Sequence, residues 1–365
     1  MKIDSLILEL KNHFLEIRSK YPMKEINFML GSTVSLDPKQ TPYLTPIRVY
    51  EDSVVLGAII FNQVDAMVIA KIFSDSVDKF YIDVEKKLPI DFYPNYAWAK
   101  SYGVAPPSNC ESNPELGNIS QAIRPLISSE KIIPYKANDL TVDVVWTFVS
   151  DYIGDLSAKT FLILGLGNLG AKLSLKFVES GAAIFAYGIN PYKDSLIVNA
   201  INNIKNKATL ADVRLTDSLE FAALRSDVII LASSSKNAFD IKAARCSSKS
   251  KLVVDIGKGN LTSDALEFFH DRNIPVWRAD ITDYLPRILG KSNNSYKNLS
   301  ESRFGFDFIN DYKIVSGGWV GSKGDIVVDD YRNPTYIIGI CDGLGGFTDK
   351  SSLELKKLLE EIIRN

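Results

Sequence analysis

Three glycines, Gly165, Gly167 and Gly170 in the run FLILGLGNLGAKLSLKFVES, stand in the spacing G-x-G-x-x-G. That spacing suits one task, the cradling of a dinucleotide's pyrophosphate. The first glycine permits a tight turn and the second lets a phosphate approach bare main chain. The third lets the following helix press on the preceding strand, while the helix N-terminus supplies positive charge. Gly165, Gly167, Asn168, Leu169 and Gly170 are therefore expected to hold the diphosphate. The same glycines would also suit a fold of this kind that serves packing alone.

A dinucleotide that carries hydride needs a proton donor or acceptor beside the reacting oxygen. Lys136 and Asp139 lie three apart, just before a helical run, and are the expected acid/base and its partner; the other reading of Asp139 is a helix cap. Tyr96 and Lys100 form a second candidate pair, at i, i+4, with Lys100 as a further catalytic residue. Asp83, Glu85, Lys86 and Lys87 end a strand-like run and could face a cleft.

The second strand after the fingerprint ends YGINPYKD, without the acid that normally binds the ribose hydroxyls of NAD. Asn190 can donate a hydrogen bond and Lys193 can meet a phosphate, so NADP is expected, with NAD the alternative. Asp194 is expected to lie too far along the next helix to replace the missing acid. Small residues in two later loops, Ser233 and Ser234 in one and Gly257 in the other, suit the approach of a nicotinamide ring.

These residues need elements to position them. Apolar runs at Phe161–Gly165, Ala182–Gly188, 211–215, Asp227–Ser233, Lys251–Gly257 and Ile274–Asp280 read as strands, with helical patterns between them. That rhythm predicts a doubly wound parallel Rossmann sheet over residues 156–285. Upstream, strand-like runs at 25–30, 54–61 and 80–84 and helices at 1–20, 64–73 and 140–153 predict an α/β substrate domain over 1–155, with 101–134 mostly loop. Residues 286–365 read as a small β-rich segment closed by a helix, which could pack on the N-terminal domain.

Composition narrows the function classes. The 365 residues are 46% hydrophobic and 24% charged, with a net charge of −2, so there is no basic excess of the kind nucleic-acid binders show. No apolar run is long enough to predict a membrane span. Three scattered cysteines and two histidines offer no metal spacing, and a reducing, cytoplasmic setting is expected.

The order of parts resembles the shikimate dehydrogenase and methylenetetrahydrofolate dehydrogenase group. An Ala137-Asn138-Asp139 segment precedes the linking helix, much as an Asn-Thr-Asp segment does in shikimate dehydrogenases. The passage VVDIGKGNLTSDALEFFHDRNIPVW is similar to that group's strand, loop, helix and strand, and a Tyr-x-x-x-Lys pair occurs in its methylenetetrahydrofolate branch. PYKANDLTVD is similar to the stretch before the NAD domain of S-adenosylhomocysteine hydrolases. The resemblance spans about residues 135–280. Gly31-Ser32-Thr33-Val34-Ser35 is a loose counterpart of the Ser-x-Ser substrate pattern.

Motif, spacing and resemblance together predict an NADP-dependent oxidoreductase. Its substrate would be a small polar metabolite, a hydroxy or keto acid or an amino or imino acid. The alternatives are a non-redox enzyme retaining NAD and a cofactor-free binding or regulatory protein. No nucleic acid or membrane partner is expected, and the sequence leaves a homodimer open.

Overall fold

The computed structural model describes residues 3–32, 41–85, 101, 119–279, 305–316 and 320–364. Two compact units divide the chain, Met1–Asp283 and Tyr284–Asn365.

The first unit opens with α1 (Ile3–Lys20), β1 (Glu25–Gly31), β2 (Tyr43–Val49), β3 (Ser53–Ile59), α2 (Gln63–Phe73) and β4 (Lys79–Asp83). Next come α3 (Ile119–Ile123), a short 3-10 turn and β5 (Ile132–Tyr135). The five strands form one sheet in the order β2-β3-β1-β4-β5, parallel except for the edge strand β2. Alternation along β1 sends Ile26, Phe28 and Leu30 to one face, where they meet Leu6, Leu10 and Phe14 of α1 and Val68, Ile69 and Phe73 of α2. The stretch 101–134, expected to be loop, in fact contributes α3 and the start of β5 where it is described. Each is too short to show a period in sequence.

The linking helix α4 (Ala137–Ile153) then leads into β6 (Thr160–Leu164), α5 (Asn168–Glu179), β7 (Ala183–Tyr187), α6 (Pro191–Ile204) and β8 (Val213–Leu215). The second half comprises α7 (Leu219–Arg225), β9 (Val228–Leu231), α8 (Ile241–Cys246), β10 (Leu252–Asp255), α9 (Ser263–Asp271) and β11 (Val276–Arg278). The six strands are all parallel in the order β11-β10-β9-β6-β7-β8, which is the doubly wound Rossmann order. The fold is thus the α/β Rossmann architecture expected from the sequence.

Both faces of this sheet are covered. Phe161, Ile163, Ile184 and Ile230 pack under α4, α5 and α6, with Val142, Val145 and Val149 supplied by the linking helix. Leu162, Leu164, Ile229 and Leu231 pack on the other face under α7, α8 and α9. Strands buried on both faces read as continuous apolar runs, which is why VIIL and LVVD were legible.

The second unit holds β12 (Phe306–Ile309), β13 (Tyr312–Ser316), β14 (Ile326–Val328), β15 (Ile337–Ile340) and the closing helix α10 (Ser352–Arg364). Its four strands pair in chain order, and α10 packs Leu355, Leu358, Leu359 and Ile362 onto Ile314, Ile326 and Val328 of its own sheet.

Candidate functional site

The turn after β6 is built of main chain. Gly165 has φ +95°, and a Cβ there would come within 2.8 Å of the Ser233 backbone. Only glycine combines that dihedral with that contact. The Gly165 N–H donates to the carbonyl of Tyr187 at 2.7 Å, tying the turn to the second strand. Gly170 is fixed by space alone, since its Cβ would stand 1.9 Å from the Gly165 carbonyl oxygen. Ser174 Oγ, fully buried, donates to the Gly170 carbonyl at 2.8 Å and closes this helix–strand contact.

Gly167 behaves differently. It is the N-cap of α5, accepts no constraint from φ (−74°), and a Cβ there would meet nothing of the described residues within 4 Å. No side chain of a described residue caps the helix at this point. Uncapped N–H groups at the start of a 12-residue helix, beside open space, fit a diphosphate. Asn168 is exposed and Leu169 half-buried on the first turn.

The two loops expected near the ring are joined to each other. Asn260, 1% exposed, donates from Nδ2 to the carbonyls of Ser233 at 3.0 Å and Ser235 at 2.7 Å. Ser233 Oγ accepts from the Ser235 N–H at 3.1 Å. Asp255, 8% exposed, accepts the Lys258 N–H at 3.0 Å and the Gly259 N–H at 2.8 Å. A Cβ on Gly257 would lie 2.2 Å from the Ser233 carbonyl oxygen, so glycine is needed for the loops to touch. Ser234 is exposed in the same loop. Asn260 was not singled out from sequence; an asparagine in a Gly-rich loop looks like any turn residue.

At the end of β7 the geometry departs from expectation. Asn190 is the N-cap of α6, and its Oδ1 accepts from the Lys193 N–H at 3.0 Å, with Pro191 at the first helical position. Lys193 is exposed and makes no ion pair among the described residues. Asp194, expected to be out of reach, returns to the strand end. It is 5% exposed, and its Oδ2 accepts the Asn190 N–H at 3.1 Å. The helix turns that carboxylate back over Gly188, which has no side chain to oppose it.

Lys136 and Asp139 meet, with Nζ 2.6 Å from Oδ2. Asp139 also pairs with Lys172 of α5, four residues beyond Asn168, or roughly 6 Å along the helix. The pair is therefore tied, through Lys172, to the helix that the glycine turn opens. The Asp139 hydrogen bond and charge hold the Lys136 ammonium above its ordinary range, and the hydrogen bonds from Lys136 and Lys172 hold Asp139 below its own. The helix cap is not Asp139: the cap position is Lys136, whose side chain makes no capping hydrogen bond, and the Asn138 N–H is met from outside by Glu85 Oε2 at 3.2 Å.

Glu85 belongs to a group at the carboxyl ends of β4 and β5. Asp83, 1% exposed, accepts the Glu85 N–H at 3.0 Å. The hydroxyl of Tyr135 lies 2.9 Å from where a Gly31 side chain would begin. Burial raises the Tyr135 phenol, and the carboxylates of Asp83 and Glu85 raise it further. Lys100, Tyr96, Lys86, Lys87 and Thr33-Val34-Ser35 lie outside the described residues.

Comparison with known proteins bears on the domain that carries this site. Residues 160–259 match the family model described as NADP oxidoreductase coenzyme F420-dependent, a match confined to the Rossmann sheet. The chain thus carries the nucleotide domain of an NAD(P)-dependent dehydrogenase or reductase, with NADP or NAD as its cofactor. No curated protein matches in sequence.

Solved structures with partial likeness include glutamyl-tRNA reductase from Methanopyrus kandleri, at 16% identity and TM-score 0.34, over 44% of this chain and 39% of that one. The hetero-hexameric glutamate dehydrogenase from Thermus thermophilus matches at 13% and 0.40, over 76% and 70%. Shikimate 5-dehydrogenase from Listeria monocytogenes matches at 11% and 0.37, over 76% and 92%. The chain spans less than half of the reductase, and likeness at this level carries no argument about substrate. No described helix is long and apolar enough to cross a membrane.

Proposed function

We propose that this protein is an NAD(P)-dependent oxidoreductase that passes hydride to or from a small polar metabolite, a hydroxy or keto acid or an amino or imino acid. The observation that carries the reading is the contrast within one motif. Gly165 and Gly170 are held by backbone contacts, while Gly167 faces open space at an uncapped helix N-terminus. Packing accounts for the first two glycines and leaves the third without a structural task.

The bound nicotinamide would supply the hydride acceptor or donor. The residues of the chain would do the rest. The α5 N–H groups hold the diphosphate, and the Ser233 and Gly257 loops border the ring. Ile189 and Tyr192, 88% and 76% exposed, offer apolar surface for the adenine. Lys136, kept protonated by Asp139, donates a hydrogen bond to the reacting oxygen, and the metabolite's other groups meet the polar carboxyl edge around Tyr135 and Asp83.

Calorimetric titration of the full chain with NADH and NADPH tests the reading. Micromolar binding of at least one is expected. Gly167→Val should weaken it tenfold or more without lowering the melting temperature, because the new side chain enters empty space. If neither nucleotide binds the wild type at millimolar concentration, the proposal fails. Lys136→Met should leave nucleotide affinity unchanged and reduce turnover once a substrate is found.

A further inference from the structure

The end of β7 bears no acid in sequence, yet a carboxylate stands there in space. Were Gly188 given a side chain, its Cβ would lie 2.3 Å from Asp194 Oδ2, 2.7 Å from Cγ and 2.9 Å from Oδ1. The carboxyl group of Asp194 thus fills the volume in which a side chain at 188, the first residue after the strand, would begin. One oxygen is engaged, since Oδ2 accepts the Asn190 N–H. Oδ1 receives no hydrogen bond from any described residue, on a side chain only 5% exposed.

We propose that Asp194 is the acceptor for the adenosine ribose hydroxyls and makes the site selective for NAD over NADP. The inference rests on the reading that the Rossmann domain binds a nicotinamide dinucleotide. It gives the carboxylate the role that an acid at the end of the second strand plays in NAD sites. Here the acid is delivered from the first turn of α6, and Gly188 is the space that admits it.

Charge argues the same way. The start of a 14-residue helix attracts anions. Asp194 already supplies the anion, from a buried position where solvent screens it little. A 2′-phosphate arriving at that turn would meet a like charge. Asn190 does not discriminate, because its carboxamide oxygen accepts the Lys193 N–H and its Nδ2 can donate to a ribose hydroxyl or a phosphate alike. Lys193, exposed in the same turn, is a cation that a phosphate could meet. This is the reverse of the preference that YGINPYKD suggests by residue type alone.

A different role for Asp194 would be purely to close the first turn of α6 through Asn190. The two roles separate in the ratio of dissociation constants for NADH and NADPH, measured by calorimetry on the full chain with melting curves alongside. NADH should bind the wild type at least tenfold more tightly than NADPH. Asp194→Asn should reduce that ratio about tenfold or reverse it, by weakening NADH and letting Lys193 meet the phosphate. Gly188→Ala, which forces the carboxylate from its place, should shift the ratio in the same direction without touching the charge.

Tighter NADPH binding by the wild type overturns the proposal, and so does an Asp194→Asn variant that melts lower with both affinities reduced equally. If Asp194→Asn does not fold, the wild-type ratio and Gly188→Ala decide the matter. Failure of both nucleotides to bind would sink the oxidoreductase reading instead, which is a different result.

Discussion

At the carboxyl end of the six-stranded sheet the working surface is main chain. Gly165, Gly167 and Gly170 shape one loop, and Gly257 lets a second touch a third. At the carboxyl end of the five-stranded sheet the surface is side chain: Asp65, 7% exposed, Asp83 and Glu85, and the phenol of Tyr135. Bare backbone suits a ligand whose diphosphate is the same in every protein that binds it. Buried ionisable groups suit recognition of one metabolite, and they are costly to fold. The two edges should therefore answer substitution in opposite ways. Loss of a glycine should harm the first, and removal of a charge should help the stability of the second.

The largest effect is expected at Gly170. Valine there forces a side chain against a carbonyl oxygen that would stand 1.9 Å from its Cβ. The helix must lift from the strand, at a cost of about 3 kcal/mol or more. Urea unfolding should show it. A cost no greater than that of Gly167→Val would erase the distinction between a packing glycine and a binding glycine.

The second effect has the opposite sign. Burial raises Asp65 from 3.8 to about 6, and it makes no hydrogen bond or ion pair with any described residue. A raised carboxyl binds its proton more tightly in the folded state. Its contribution to stability is complete below pH 4, falls as pH rises from about 4 to 6, and stays low beyond. At roughly 1.4 kcal/mol per unit, the burden near pH 8 is about 3 kcal/mol at most. Asp65→Asn should therefore stabilise the protein at pH 8 and change little at pH 3.5. Equal stabilisation at both would mean that the charge is not the cause.

How much of each edge was legible depends on the same difference. The glycine spacing and the two-face burial of β6, β9 and β10 are local signals, and reading them placed the Rossmann sheet. The edge strand β2 was missed because YLTPIRV carries Pro46 and has no clean alternation. Its pairing with β3 slips between Thr45 and Arg48, around that proline. IIPY and LEFAALR are too short to show a period.

At the site, what escaped was reach across space. Glu85 caps a helix 53 residues away, Asn260 ties two loops, and Asp194 folds back over a glycine six positions earlier. Residue type was visible in each case, but direction was not. The candidate pair of Lys136 and Asp139 was found because both partners lie within one turn of a helix start.

The smallest effects concern the seam that carries the first edge's helix. Asp139 and Asp143 of α4 pair with Lys172 and Lys176 of α5, each pair 33 residues apart. Trp146 Nε1 continues the row by donating to Ser180 Oγ at 3.2 Å, and the Lys176 ammonium lies 5.1 Å from the centre of the Trp146 ring. The ionic side chains are 36% to 53% exposed, so water and salt screen them. Asp143→Asn should cost about 0.5 kcal/mol, and less in 1 M salt. Asp139→Asn should cost about 1 kcal/mol at neutral pH, since it serves two lysines.

Because Asp139 is held below 3.8, that contribution is present above about pH 4 and is lost as pH falls through its lowered value. The two variants separate a seam from a site. If Asp139 only fastens helices, both leave turnover alone. If it also orients Lys136, Asp139→Asn lowers turnover and shifts its alkaline limb to lower pH, because the lysine loses the partner that keeps it protonated, while Asp143→Asn moves neither.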